Sequence, residues 1–178
     1  MVAEIERYWA GKERLFRLRL GDVLDLQEAL GGQEIAVTFR KMTTGTFGIM
    51  DVHETLRIGM ISGGETVIDA KRIFADRFDT IPLAESSAAA AELLVALMTG
   101  IEDIKPSEDD VSPGPLKFSE LSQISRTFHM SPIDLRNMPY ADFVNMMQGF
   151  NASRPDQPLE HLSEDEFVDI LNRFEPKD

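Results

Sequence analysis

Apolar and polar positions alternate at the start of the chain. Phe16, Leu18 and Leu20 share one parity, and Arg17 and Arg19 the other. Period two is the mark of a half-buried strand. An earlier run, Ile5, Arg7 and Trp9, is separated from it by Ala-Gly-Lys, a turn sequence because Gly tolerates positive φ. The pattern predicts a β-hairpin, which needs a helix to lean on. The period then changes. Val23, Leu26 and Leu30 recur at helical spacing, with Asp22 as N-cap, Asp25 as first-turn charge and Gly31–Gly32 as the stop. Residues 35–42 are rich in β-formers, yet Ile35, Phe39 and Met42 repeat at i, i+4 and i+7, so a helix ending near Thr44–Gly45 is expected.

Three further helices follow. Asp51-Val-His-Glu54 reads as a capping-box start for the stripe Val52, Leu56 and Met60, stopped by Gly63–Gly64. Thr66 and Asp69 open a helix with the stripe Val67, Ala70, Phe74 and Phe78. Pro82 opens an Ala-rich helix carrying Leu94, Val95 and Met98 and closed by Gly100. Leu26, Leu56, Phe74 and Leu94 are the expected core. Residues 101–115 hold three prolines, one glycine and five acids, which predicts a linker. Beyond it, Phe118, Leu121, Ile124 and Phe128 form a stripe. Ser131-Pro132-Ile-Asp134 starts a short helix interrupted by Pro139. Phe143, Met147 and Phe150 mark another, and a capping box at Ser163–Glu166 leads into Phe167, Ile170, Leu171 and Phe174. The expected fold is mainly α: an N-terminal β-hairpin packed on a helical bundle (1–100), an acidic Pro-rich linker (101–115) and a small C-terminal helical module (116–178).

Charge and chemistry narrow the function. The 178 residues hold 18 Lys and Arg against 31 Asp and Glu, a net charge of −13. That disfavours phosphate-backbone and anionic-membrane partners. There is no cysteine, which removes disulfides and thiol chemistry, and there are three histidines. His53-Glu54 has no second histidine at zincin spacing, there is no phosphate-cradling Gly-Lys-Ser/Thr loop, and no Gly-x-Ser-x-Gly elbow occurs. Glu108-Asp109-Asp110 lacks the glycine and terminal glutamate of a calcium loop. No catalytic residue, cofactor or metal site is expected. The N-terminus has no signal-peptide pattern, and the Ala-rich run is too short to span a bilayer, so a cytoplasmic protein is expected. Trp9 on an edge strand reads either as core or as a contact. Residues 138–150 carry more apolar side chains than one stripe requires, with Met138, Tyr140 and Met146 partly off it; the segment reads either as the core of a small helical unit or as an adaptable binding surface. On the second reading Met138, Tyr140, Phe143 and Met147 are the partner-binding candidates.

The residues Leu-Phe-Arg-Leu-Arg-Leu followed by Asp-Val-Leu-Asp-Leu-Gln-Glu-Ala-Leu-Gly, and later Asp-Val-His-Glu-Thr-Leu-Arg-Ile-Gly-Met-Ile-Ser-Gly-Gly, resemble the tail assembly chaperones of gene transfer agents and related siphophages. The resemblance covers roughly residues 5–100 and consists of helix and turn patterns. The segment from Phe118 to Phe150 resembles the small second chaperone module, which in such systems lies in a neighbouring frame or gene. The family implies a non-enzymatic role: binding the tape-measure protein, helping to recruit tail-tube protein, and leaving before the tail is complete. Self-association stays open. The alternatives are an acidic DNA mimic or other interaction module, and a small enzyme using carboxylate pairs such as Asp22 with Asp25 or Asp109 with Asp110.

Overall fold

The computed structural model describes residues 2–102 and 118–152. Strands β1 (Ala3–Trp9) and β2 (Lys12–Leu18) form an antiparallel hairpin in the register Trp9↔Lys12 to Ala3↔Leu18. Ala10 and Gly11 make the two-residue turn with φ of 50° and 89°, the pair of positive values that matches strand twist. The helices are α1 (Leu20–Ala29), α2 (Ile35–Thr44), α3 (Ile49–Ser62), α4 (Val67–Arg77), α5 (Leu83–Met98), α6 (Phe118–Thr127), α7 (Pro132–Asn137) and α8 (Tyr140–Ala152), with a 3₁₀ turn at Phe78–Thr80. The fold is thus mainly helical around an N-terminal hairpin. No helix among the described residues is long and apolar enough to cross a membrane.

The hairpin rests on α3 and α5. Trp9, Phe16 and Leu18 are buried and join Val23 and Leu26 of α1, Leu56 and Met60 of α3, Phe74 of α4 and Leu93, Leu94 and Leu97 of α5 in one core. Trp9 is therefore a core residue, and its indole N–H donates to Ser86 Oγ at 3.1 Å. A Cβ on Gly59 would stand 2.7 Å from Leu93 Cδ2, so the glycine permits the close approach of α3 and α5. Arg14 is buried; its Nε donates to Trp9 O, and its guanidinium pairs with Glu65 beyond the end of α3. A charge this far from water requires such complete pairing.

Two helix starts differ from expectation in the same way. Asp22 and Asp51 sit at the third helical position, not at the cap. Their carboxylates accept from the backbone N–H of Arg19 and of Gly48, both at 2.7 Å. Such a reach back to the cap satisfies a donor that the helix itself cannot. Asp22 also accepts from Ser62 Oγ at 2.7 Å, tying α1 to the end of α3. Leu20, read from its parity as a strand position, is the first residue of α1 and fully buried. Val67 and Val95, expected on buried stripes, are 62% and 49% exposed. The buried side of each helix is carried instead by Ala70 with Phe74, and by Ala90, Leu93, Leu94 and Leu97. Residues 35–42 are helical as expected, and Gly45 ends α2 in the left-handed region with φ 72°.

The chain forms two compact units, Met1–Met146 and Met147–Asp178. The first includes α6, α7 and the start of α8, which the sequence assigned to a module beyond a linker. Polar contacts hold this segment in place. Leu20 N donates to Met138 O at 3.0 Å, so the end of α7 satisfies one of the free N–H groups at the start of α1. Arg136 makes two hydrogen bonds to Asp25, at 2.8 and 3.0 Å, and Arg19 donates to Asn137 Oδ1. Gly21 leaves room for Arg136, whose carbonyl oxygen would lie 3.1 Å from an added Cβ. Asn145 bridges Gly100 O and Glu102 N at 2.8 and 3.0 Å. Ser131 caps α7, accepting from Asp134 N. Of the second unit, only the end of α8 is described. Most of the expected linker (103–115) and the helix expected after Ser163 lie outside the described residues.

Candidate partner-binding surface

The four residues that the sequence nominates occupy different environments. Phe143 is 4% exposed and belongs to the buried set of the first unit. Tyr140 is half-buried and packs against the main core. Loss of water around its hydroxyl raises its pKa above the ordinary tyrosine value. Met138 is half-buried, and its carbonyl holds α1. Met147 is half-buried and falls in the second unit. The first unit thus brings together Met138, Tyr140 and Phe143, with Tyr140 and Phe143 directed into packing.

The Tyr140 environment has a measurable consequence. Its folded-state pKa lies above the unfolded value of about 10. Stability from the neutral phenol is therefore fully present below pH 10 and declines as pH rises through the window above it, where only the unfolded state has lost the proton. Between pH 9 and 11, denaturant midpoints of the native chain should fall more steeply than those of Tyr140→Phe. Parallel slopes would place the phenol in water.

A cleft with aliphatic walls and a partly polar lining lies elsewhere. It has a volume of about 410 Å³ and is lined by Ile49, Phe78, Asp79, Thr80, Ile81, Pro82, Leu83 and Ser86. Local sequence builds it. Gly48 starts α3 one turn ahead of Asp51, which brings Ile49 into helical conformation at one wall. Pro82 caps α5 and sets Leu83 at its first position on another. The 3₁₀ turn between α4 and α5 supplies Phe78 and Asp79. Ile49 is 54% exposed and Leu83 45%, so about half of each large aliphatic residue remains in water.

The floor is rigid. Phe78 stacks on Phe74 with centroids 5.5 Å apart, and His53 meets both rings edge-on at 4.8 and 5.0 Å. Trp9 touches Phe74 at 5.0 Å, and its indole anchors Ser86, the polar residue of the lining closest to the core. His53 Nδ1 lies 2.9 Å from Glu54, whose other oxygen receives two hydrogen bonds from Arg57 at 2.9 and 2.6 Å. The His53–Glu54–Arg57 group therefore fixes the ring that supports the cleft. Among the described residues, no group of three or more His, Cys, Asp or Glu is placed to hold a metal ion.

Sequence reasoning did not assign Ile49, Ile81 or Leu83 to any surface, and took Phe78 as core. The available signal was positional. Ile49, Ile81 and Leu83 stand at junctions between elements, ahead of a capping acid or beside Pro82, and belong to no helical stripe, whereas Phe78 is buried as its stripe implies.

No curated protein and no solved structure matches the chain. The model of one family, described as phage tail tube protein, GTA-gp10, matches residues 2–100, the stretch that forms the hairpin and α1–α5. That description names a tail tube protein and not a chaperone. With more than half of its length matched, the chain belongs to this family of phage and gene-transfer-agent tail proteins.

Proposed function

We propose that the protein is a non-enzymatic tail assembly chaperone. It holds the tape-measure protein soluble in the host cytoplasm, helps to recruit tail-tube protein, and is absent from the finished tail. The family match over residues 2–100 supports a role in tail morphogenesis, and the finer chaperone reading rests on the resemblance of the same residues to tail assembly chaperones. The architecture supports it. A small helical unit with an open apolar cleft on a rigid aromatic floor suits the docking of an amphipathic helix, whose apolar face needs a groove. A net charge of −13 favours solubility of the complex and opposes close stacking of many copies.

The segment around Met138, Tyr140, Phe143 and Met147 takes part in tube-protein recruitment on this reading. Tyr140 and Phe143 act there by holding α8 in place, since both are directed into packing. Co-expression tests the proposal. With the full chain, a tape-measure fragment should pass from the pellet to the soluble fraction and co-elute with it. The family description favours a second reading, a structural subunit of the tube itself. On that reading the purified chain should assemble into rings or tubes by itself, and the tape-measure fragment should remain in the pellet.

A further inference from the structure

The geometry points to the cleft between the start of α3 and the start of α5 as the seat of a partner helix that carries a Lys or Arg beside its apolar anchors. The inference rests on the chaperone reading and adds to it the place and chemistry of contact. Three observations carry it. First, the walls are aliphatic and in water: Ile49 and Leu83 are about half exposed, although the chain has a well-filled core in which to bury such residues. Second, the floor is already formed: Phe78 packs on Phe74 and His53, and Ser86 accepts from the Trp9 indole. A preformed floor spares the ordering cost that a soft groove imposes on binding. Third, Asp79 is the one charged residue in the lining, and it is exposed. Glu85 stands in the first turn of α5, where a carboxylate offsets the positive end of that helix.

These features select the occupant. An enclosed site would suit a small apolar molecule, which needs most of its surface covered. Here the walls are open, which fits two or three side chains at i, i+3 and i+4 from a helix lying across the mouth. A basic residue on that helix would meet Asp79. An acidic one would face both Asp79 and the charge of the whole chain.

The test uses the full-length chain and overlapping helical peptides of a phage tape-measure protein, in fluorescence anisotropy. Peptides with Lys or Arg beside the apolar stripe should bind, and acidic-flanked ones should not. Leu83→Asp and Ile49→Asp should each weaken binding by about 30-fold, the loss typical of a central anchor. Asp79→Lys should weaken it less and reduce its salt dependence. All three positions are exposed, so circular dichroism should show native folding. If the native chain retains the tape-measure protein but the cleft variants retain it equally well, or acidic-flanked peptides bind as tightly, the cleft assignment fails and the chaperone reading stands. If the native chain retains no tape-measure protein, both fail. If Leu83→Asp instead converts a dimer to a monomer without affecting peptide binding, the cleft is a contact between copies of this chain and the assignment is overturned.

Discussion

Replacing Gly63 by alanine should cost the protein at least about 3 kcal/mol, the upper end of what overpacking usually imposes. Gly63 follows α3 with φ −73°, so its backbone would suit any residue. The restriction is steric. A Cβ there would stand 1.8 Å from Leu15 O and 2.6 Å from Leu15 C, and the atoms that would have to move are backbone of β2. A flexible side chain could swing aside, but the carbonyl of a paired strand cannot do so without breaking the hairpin register. The same junction carries Glu65, which pairs with Arg14 and Lys12, so displacing the strand would also uncouple a buried guanidinium. Urea unfolding of Gly63→Ala should show a large drop in midpoint, or no cooperative transition. A drop corresponding to less than about 1 kcal/mol, the range of ordinary surface changes, would mean that α3 and β2 are not in this contact.

Phe74→Ala should cost about 3–5 kcal/mol, as for other buried aromatic truncations. Phe74 is 4% exposed and stands between Trp9, His53 and Phe78, at centroid distances of 5.0, 4.8 and 5.5 Å. Its removal would leave a hole that three rings border, and rigid rings collapse poorly into a void. Aromatic pairs also contribute beyond their buried area. Phe78 would then lose its backing, so this variant should weaken partner binding as well as stability. Phe74→Leu, which fills most of the space, should recover much of the stability. A loss below about 1 kcal/mol for Phe74→Ala would place the ring outside the core.

The legible parts of the fold were those fixed by short-range patterns. Alternation at Phe16 and Leu18 and the Ala-Gly turn specify the hairpin, and Thr66 with Asp69 and Ser131 with Asp134 specify helix starts that the side chains then make. The i, i+4, i+7 repeat of Ile35, Phe39 and Met42 correctly outweighed the β-forming composition of that stretch, because periodicity states which face is buried while propensity does not. The Asp22 and Asp51 positions were misjudged by one turn because a carboxylate at the third helical position and one at the cap give the same sequence signature.

What escaped the sequence was tertiary. A proline- and acid-rich stretch between two helical regions implies separation, yet nothing local states that the carbonyl of Met138 ends on the first N–H of α1, or that Arg136 finds Asp25 more than a hundred residues away. Those contacts place residues 118–146 in the first compact unit. The cleft was hidden for a related reason. It is assembled from Ile49, Phe78 and Leu83, three residues at the ends of different elements, and no periodicity connects them.

On the proposed function, this member of a tail-protein family acts during assembly and is not part of the tube. Quantitative mass spectrometry of assembling lysates and of purified finished particles measures it most directly. An assembly chaperone should co-fractionate with the tape-measure protein in soluble complexes before assembly and be missing from completed tails. Its presence in finished tails in many copies, at the stoichiometry of a repeating subunit, would overturn the chaperone role and make the protein a component of the tube.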